Sequence, residues 1–180
     1  VYNPEFLREK FANKDFIESK LIIFGGVHNS CRILGKIYDD HTKCECNDYS
    51  YTDPISASLI KYSINSFLAT KVTFFNELNQ LFHESGARDS WENFINTISR
   101  DERIGKSHMQ VPGPDGRFGF GGACLPKDSN AFLNYADTKN KKLNVLKTAI
   151  NTNNNIRASY NTLTDREIEQ NINFEGDIDD

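Results

Sequence analysis

Apolar positions recur at helical spacing through the middle of the chain. Leu59, Tyr62, Phe67, Leu68, Val72, Phe75, Leu78 and Phe82 fall on one stripe, which predicts a single long helix with Asp53 as N-cap, Pro54 at its first position and Gly86 beyond its end. Such a stripe packs against a core or a partner helix. Ahead of it, residues 21–24 are a short apolar run closed by Gly25 and Gly26, read as a buried parallel strand. Residues 29–38 suit a short helix and 42–46 a second strand, on which Cys44 and Cys46 alternate and so share one half-buried face. Behind the long helix, the pattern predicts a short amphipathic helix at Trp91–Ile98 and two further helices at 128–139 and 144–160. The last of these contains the asparagine-rich stretch 151–155, a poor composition for a helix interior. From Thr164 onward Asp165, Glu167, Glu169, Glu175, Asp177, Asp179 and Asp180 dominate, and a solvated linker is expected.

Composition narrows the function classes. A formal charge of -4 with no uninterrupted basic block argues against a general nucleic-acid or membrane-surface binder. No apolar run approaches the ~20 residues of a membrane span, and the N-terminus lacks a signal pattern, so a soluble, cytoplasmic protein is expected. Cys31, Cys44, Cys46 and Cys124 match no disulfide framework or zinc site by spacing, and His28, His41, His83 and His108 show no metal-ligand spacing.

The densest candidate chemistry lies in residues 113–128. Gly116, Gly119, Gly121 and Gly122 allow the backbone to reach positive φ and to approach a ligand closely. Cys124 follows where helical composition begins, with Pro126 suited to a first helical turn, so the sulfur would lie near a helix N-terminus that favours an anion. Asp128 sits four residues on, on the same helical face, and Lys127 adds positive charge. A lone cysteine after a glycine turn is equally the pattern of a small buried side chain. The loop is no dinucleotide fingerprint, because Gly-x-Gly-x-x-Gly occurs nowhere in the chain.

Residues 119–128, Gly-Phe-Gly-Gly-Ala-Cys-Leu-Pro-Lys-Asp, resemble the cysteine signature of the UDP-glucose and GDP-mannose dehydrogenases, NAD-dependent enzymes that oxidise a sugar alcohol twice, to the carboxylate. Two more segments match in order: Asn3-Pro-Glu-Phe-Leu-Arg-Glu9, and Lys61-Tyr-Ser-Ile-Asn65 followed by Phe75-Asn-Glu-Leu78. The resemblance implies a mixed α/β fold: the C-terminal edge of a Rossmann-like sheet (residues 1–50), a mainly α-helical central dimerisation domain with one long helix (51–163), and an acidic linker (164–180). The chain opens on Val1 and directly on a motif, and reads as a fragment; an NAD-binding domain is expected before it and a sugar-nucleotide domain after it.

The resemblance also implies roles. Cys124 would attack the aldehyde formed by the first oxidation to give a thiohemiacetal, then a thioester that water activated by Glu5 hydrolyses; Asp128, Lys61 and Asn65 would handle protons and oxyanion charge. Glu5, Phe6, Leu7, Glu9, Lys61, Asn65, Phe118 and Gly121 would contact the sugar nucleotide, joined by Arg103 toward the neighbouring subunit of a homodimer. Glu9 and Lys127 would face NAD. On a helical turn Glu5 and Glu9 would share a face, as Lys61 and Asn65 would on the long helix, although capping carboxylates and a solvated lysine explain the same residues. UDP-glucose is the expected substrate, with GDP-mannose and UDP-N-acetyl-mannosamine as alternatives, and a non-catalytic helical dimerisation module as the alternative of another kind.

Overall fold

Strand β1, Ile22–Gly25, is buried at every position, as a strand covered on both faces must be. It pairs in parallel with β2, Tyr49–Thr52, in a register that sets Ile22 opposite Tyr49 and Gly25 opposite Thr52. The helix between them, α2 (His28–His41), completes a β-α-β unit and buries Cys31 and Gly35. The computed structural model describes residues 1–174, apart from the side chain of Glu9, and the chain divides into two units, Val1–Ser63 and Ile64–Asp180.

In the first unit the second strand lies later than its sequence pattern predicts: residues 42–46 are irregular and β2 begins at Tyr49. The 14-residue α2 is about 21 Å long, whereas a four-residue strand spans about 13 Å, so the chain needs return length before it can pair beside β1. Thr42 ends the helix by donating its hydroxyl to the Tyr38 carbonyl and accepting from the Cys44 N–H. Cys44 and Cys46 still half-bury their side chains, against the Ile22, Phe24 and Cys31 cluster. Phe24 lies at the centre of an aromatic group, 5.1 Å from Tyr38 and 5.3 Å from Tyr49. Gly25 is required by a close approach: a Cβ there would lie 2.6 Å from that of Ala57, at the start of the long helix.

The opening segment is extended and not helical. Tyr2 forms an antiparallel bridge with Gly25, the Asn3 amide donates to the Ile23 carbonyl at 2.9 Å, and the Tyr38 hydroxyl donates to Asn3 Oδ1 at 2.5 Å. Residues 3–8 therefore carry no helix, and the shared helical face expected of Glu5 and Glu9 does not form. Arg8 fixes the far end, its guanidinium gripping the Asp15 carboxylate on α1 (Ala12–Ile17) and holding that carboxyl down to about 2.

Helix α3, Pro54–Glu84, runs for 31 residues as the apolar stripe predicts, and the boundary between the two units falls within it. Asp53 caps it by accepting from the Ile55 and Ser56 N–H groups. In the second unit α4 (Trp91–Ile98) follows with Ser90 as its N-cap, then α5 (Cys124–Thr138) and α6 (Asn144–Ala158). Ala69, Phe120, Leu133, Leu146 and Ile150 form one core cluster; Phe75, Met109 and Val111 form a second, covered by Trp91 and Ile95.

In the C-terminal third one expectation holds and one changes. The helix predicted at 144–160 forms as α6 and is continuous through the asparagine-rich stretch, where Asn153 is fully buried because its side chain has backbone partners. Residues 164–174 are not a uniformly solvated linker: Asp165 and Glu169 are exposed as expected, but α7 (Asp165–Glu169) starts in a Thr164–Glu167 capping box, and Glu167 and Phe174 are buried. The remaining acidic residues of the expected linker, 175–180, lie outside the described residues.

Candidate active site

Cys124 is the first residue of α5, and its thiol is free and exposed. The turn that delivers it there is a built structure. Gly119 adopts φ +76, and a Cβ on it would lie 2.6 Å from Asn153 Oδ1. Its N–H donates to Asn76 Oδ1 at 2.9 Å, and Asn153 binds the next residue twice: Phe120 N–H donates to its Oδ1 at 2.6 Å, and its Nδ2 donates to the Phe120 carbonyl at 3.0 Å. A carboxamide offers a donor and an acceptor side by side to one buried peptide, which is why asparagine stands inside α6 here, while the Asn76 amide, besides accepting from Gly119, donates to the Val72 carbonyl of its own helix at 2.8 Å. Removing either amide would leave buried backbone groups unpaired, at a cost of about 1–3 kcal/mol.

Beneath Gly121 and Gly122 lies a buried ion pair. Arg157 of α6 and Glu167 of α7 have side chains 1% and 0% exposed and are in direct contact. Gly122 N–H donates to Glu167 Oε1 at 3.2 Å, while Arg157 Nη1 donates to Asp115 at 2.8 Å and to the Phe118 carbonyl at 3.4 Å. Arg117 joins the network at 4.0 Å from Glu167, and the Tyr160 hydroxyl accepts from Phe118 N–H at 2.8 Å. A Cβ on Gly121 would overlap both Arg157 Nη2 and Glu167 Oε1, so glycine at this position is a packing requirement. Burial pushes the Glu167 carboxyl up, but the Thr164 hydrogen bonds, the Arg157 charge and the Gly122 N–H outweigh it and hold it below its ordinary 4.5. Its contribution to stability is therefore complete above the ordinary glutamate range and is lost as pH falls through the lowered folded value.

The other predicted residues form two pairs, one in each unit. In the second, Asp128 is 2% exposed and its Oδ2 accepts from Asn65 Nδ2 at 2.6 Å, with Lys127 Nζ 3.4 Å from its other oxygen. In the first, Lys61 Nζ lies 3.2 Å from Glu5 Oε1, and the Leu7 N–H donates to Glu5 Oε2. Phe6 and Leu7 are half-buried beside it, and the Glu9 side chain is outside the described residues. Phe118 is exposed at the rim of the glycine loop. Arg103 is also exposed and paired with Asp101, the surface ion pair that its composition allows. The turn carrying Arg103 is tied down by Lys71, whose ammonium donates to the carbonyls of Ile104 and Gly105 and is pushed down by burial.

Sequence reasoning did not single out Asn76, Asn153, Arg157 or Glu167 as site-building residues. A cluster of asparagines at helical spacing, otherwise unfavourable there, was the available signal for Asn153. No group of side chains suited to a metal ion occurs among the described residues, nor any helix long and apolar enough to cross a membrane. A sheet of two strands and no Gly-x-Gly-x-x-Gly turn do not amount to a dinucleotide cradle, so residues 1–174 do not by themselves fit NAD.

Comparison with known proteins agrees with the residue pattern. Residues 55–155 match the UDP-glucose/GDP-mannose dehydrogenase family, central domain. The chain is 39% identical over 153 residues to a UDP-glucose 6-dehydrogenase of Rickettsia felis, covering 84% of this chain and 32% of the relative. It is 34% identical over 157 residues to one of Bacillus subtilis, covering 87% and 33%. Its fold superimposes with a TM-score of 0.73 on a UDP-glucose dehydrogenase from the archaeon Pyrobaculum islandicum, at 30% identity, covering 84% of this chain and 33% of that one. The chain thus spans about a third of the length of the proteins that it matches. With the long helix, the glycine loop and the leading thiol in place, the match over more than half of its residues assigns the chain to the UDP-glucose/GDP-mannose dehydrogenase family.

Proposed function

We propose that this chain is the thiol-bearing middle part of an NAD-dependent dehydrogenase that oxidises UDP-glucose to UDP-glucuronate. The observation that carries the reading is the exposed Cys124 thiol at the first position of a 15-residue helix, delivered by a loop whose backbone is fixed from below. In the full-length enzyme, a bound NAD would supply the hydride acceptor for both oxidations. The work of this chain lies between the two oxidations. Cys124 sulfur forms a bond to the aldehyde carbon and the carbonyl oxygen takes up a proton, giving a thiohemiacetal that again carries a transferable hydrogen. Loss of that hydride together with the hydroxyl proton leaves a thioester; water adds at its carbon, the C–S bond breaks, and the carboxylate leaves while the thiol is restored.

Charge on the reacting oxygen is met by donors that cost no reorganisation. The Asn65 amide already donates to the buried Asp128 carboxylate, so both groups are held in place before substrate arrives. In this reading Lys61 stabilises oxyanionic intermediates and Glu5 activates the hydrolytic water; their ion pair and the Leu7 N–H hold the Glu5 carboxylate in a defined position. Phe6, Leu7, Glu9, Phe118, Gly121 and Arg103 contact the sugar nucleotide, and Lys127 and Glu9 face NAD. Assay of the full-length protein with NAD against UDP-glucose, GDP-mannose and UDP-N-acetyl-mannosamine tests the proposal: NADH should form at two equivalents per UDP-glucose, and no NADH with any of the three would overturn it.

The same reading includes a homodimer. Phe67, Phe74 and Leu81 recur every seven residues along α3 and are 68%, 57% and 62% exposed, and Val145 on α6 lines a groove together with Phe74. A solvent-exposed heptad stripe of this kind matches a helix that packs against a copy of itself. Phe74→Glu with Leu81→Glu should convert the parent dimer to monomer in analytical ultracentrifugation; an unchanged sedimentation coefficient would remove α3 from the interface.

A further inference from the structure

We propose that the Arg157–Glu167 ion pair is the positioning device of the thiol loop, so that the segment after α6 controls the chemistry of Cys124 without touching it. This rests on the proposed role of Cys124. The pair holds both ends of the loop: Arg157 binds Asp115 and the Phe118 carbonyl, and Glu167 accepts from Gly122 N–H, two residues before the sulfur. Nothing in the pair is slack. The second oxygen of Glu167 accepts from Thr164 N–H at 2.7 Å in the α7 capping box. The rings of Tyr160 and Phe174 lie 5.8 and 5.4 Å from the Arg157 guanidinium and help to shut out water.

Charge and shape both enter the device. Two arginines, Arg117 and Arg157, face two carboxylates, Asp115 and Glu167, and the cluster closes with balanced charge under the glycine backbone. Loss of the Glu167 charge would leave Arg157 buried with only Asp115 as counter-ion, and the loop backbone would have to shift to accommodate a new partner. A shift of that kind is passed to the first residue of α5, because only Ala123 separates Gly122 from Cys124. Glu167 and Arg157 are thus positioning residues.

The test is Glu167→Gln in the full-length enzyme, with Glu169→Gln as control, since Glu169 lies on the same short helix but is exposed and pairs with Arg166. Glu167→Gln should lower kcat about 10- to 100-fold, the size expected when a reacting atom is displaced by around 1 Å, with a smaller rise in KM because Phe118 and Gly121 of the same loop contact the sugar nucleotide in the proposed reading. The rate of Cys124 alkylation by iodoacetamide in the folded protein should change several-fold, and Glu169→Gln should alter neither. Should Glu167→Gln fail to fold, Glu167→Asp, which keeps the charge but retracts it by one methylene, is measured in the same way. Parent-like kcat and alkylation in a folded Glu167 variant would overturn the inference. Full turnover by a Cys124 variant would instead refute the role of the thiol, and the alkylation assay keeps the two failures apart.

Discussion

On the mechanism proposed above, Cys124→Ser in the full-length protein is expected to lower turnover by about 10³-fold or more and to leave a product at the aldehyde level of oxidation. The physical reason is the order of the two oxidations. An aldehyde, once formed, has to be converted to a tetrahedral adduct before a second hydride can leave, and a serine hydroxyl is a far weaker nucleophile than a thiolate at neutral pH. Binding should be little affected, since the thiol is exposed at the start of a helix and not packed into a core. Steady-state kinetics with mass-spectrometric analysis of the products separates the outcomes: a Cys124→Ser enzyme that makes uronate at the parental rate would exclude covalent catalysis by this residue.

Gly121→Ala should destabilise the folded chain by about 3 kcal/mol, at the upper end of the cost of overpacking a well-filled interior. The new methyl group would overlap atoms of Arg157 and Glu167, and neither side chain can swing into solvent, being 1% and 0% exposed. Gly116→Ala provides the contrast. Nothing lies within 4 Å of a Cβ at Gly116, and the penalty there comes only from its φ of +75, about 1 kcal/mol. Urea unfolding of both variants distinguishes packing from backbone conformation; equal midpoints would mean that the ion pair yields to the added methyl.

The two results depend on different levels of information. The Cys124 expectation rests on residues 113–128, whose glycine-rich turn, proline and leading cysteine are local features that mark a candidate thiol, and on the family resemblance of residues 119–128, which supplies the aldehyde chemistry. The Gly121 expectation rests on no such local feature. Asp115, Phe118 and Gly122 lie 39 to 45 residues from their partners in sequence, and no periodicity relates a loop glycine to an arginine on one helix and a glutamate on another. For the same reason Glu167 was read as solvated from its acidic neighbours, although Thr164 three residues earlier already supplied the first half of a capping box.

Strand placement shows a similar division. The apolar run that becomes β1 identifies itself, since a strand buried on both faces needs nothing but apolar side chains. The position of β2 was set by how far α2 carries the chain before it can return to pair with β1, a geometric condition that a short run of residues does not encode. The opening segment was drawn out along β1 by Tyr2 and Asn3, so that Glu5 meets Lys61 as part of an extended chain.

By itself, the sequence determined the long α3 helix with its aspartate cap, the short α4 helix, the glycine turn and the thiol that follows it, because spacing, capping and backbone freedom are properties of neighbouring residues. Tertiary structure alone decided which polar side chains would be buried and what each would hold: Asn76 and Asn153 on the loop peptides, Arg157 and Glu167 under the glycines, Asn65 on Asp128. A buried polar group is stable only where a partner reaches it, and for these residues the partner arrives from a distant part of the chain.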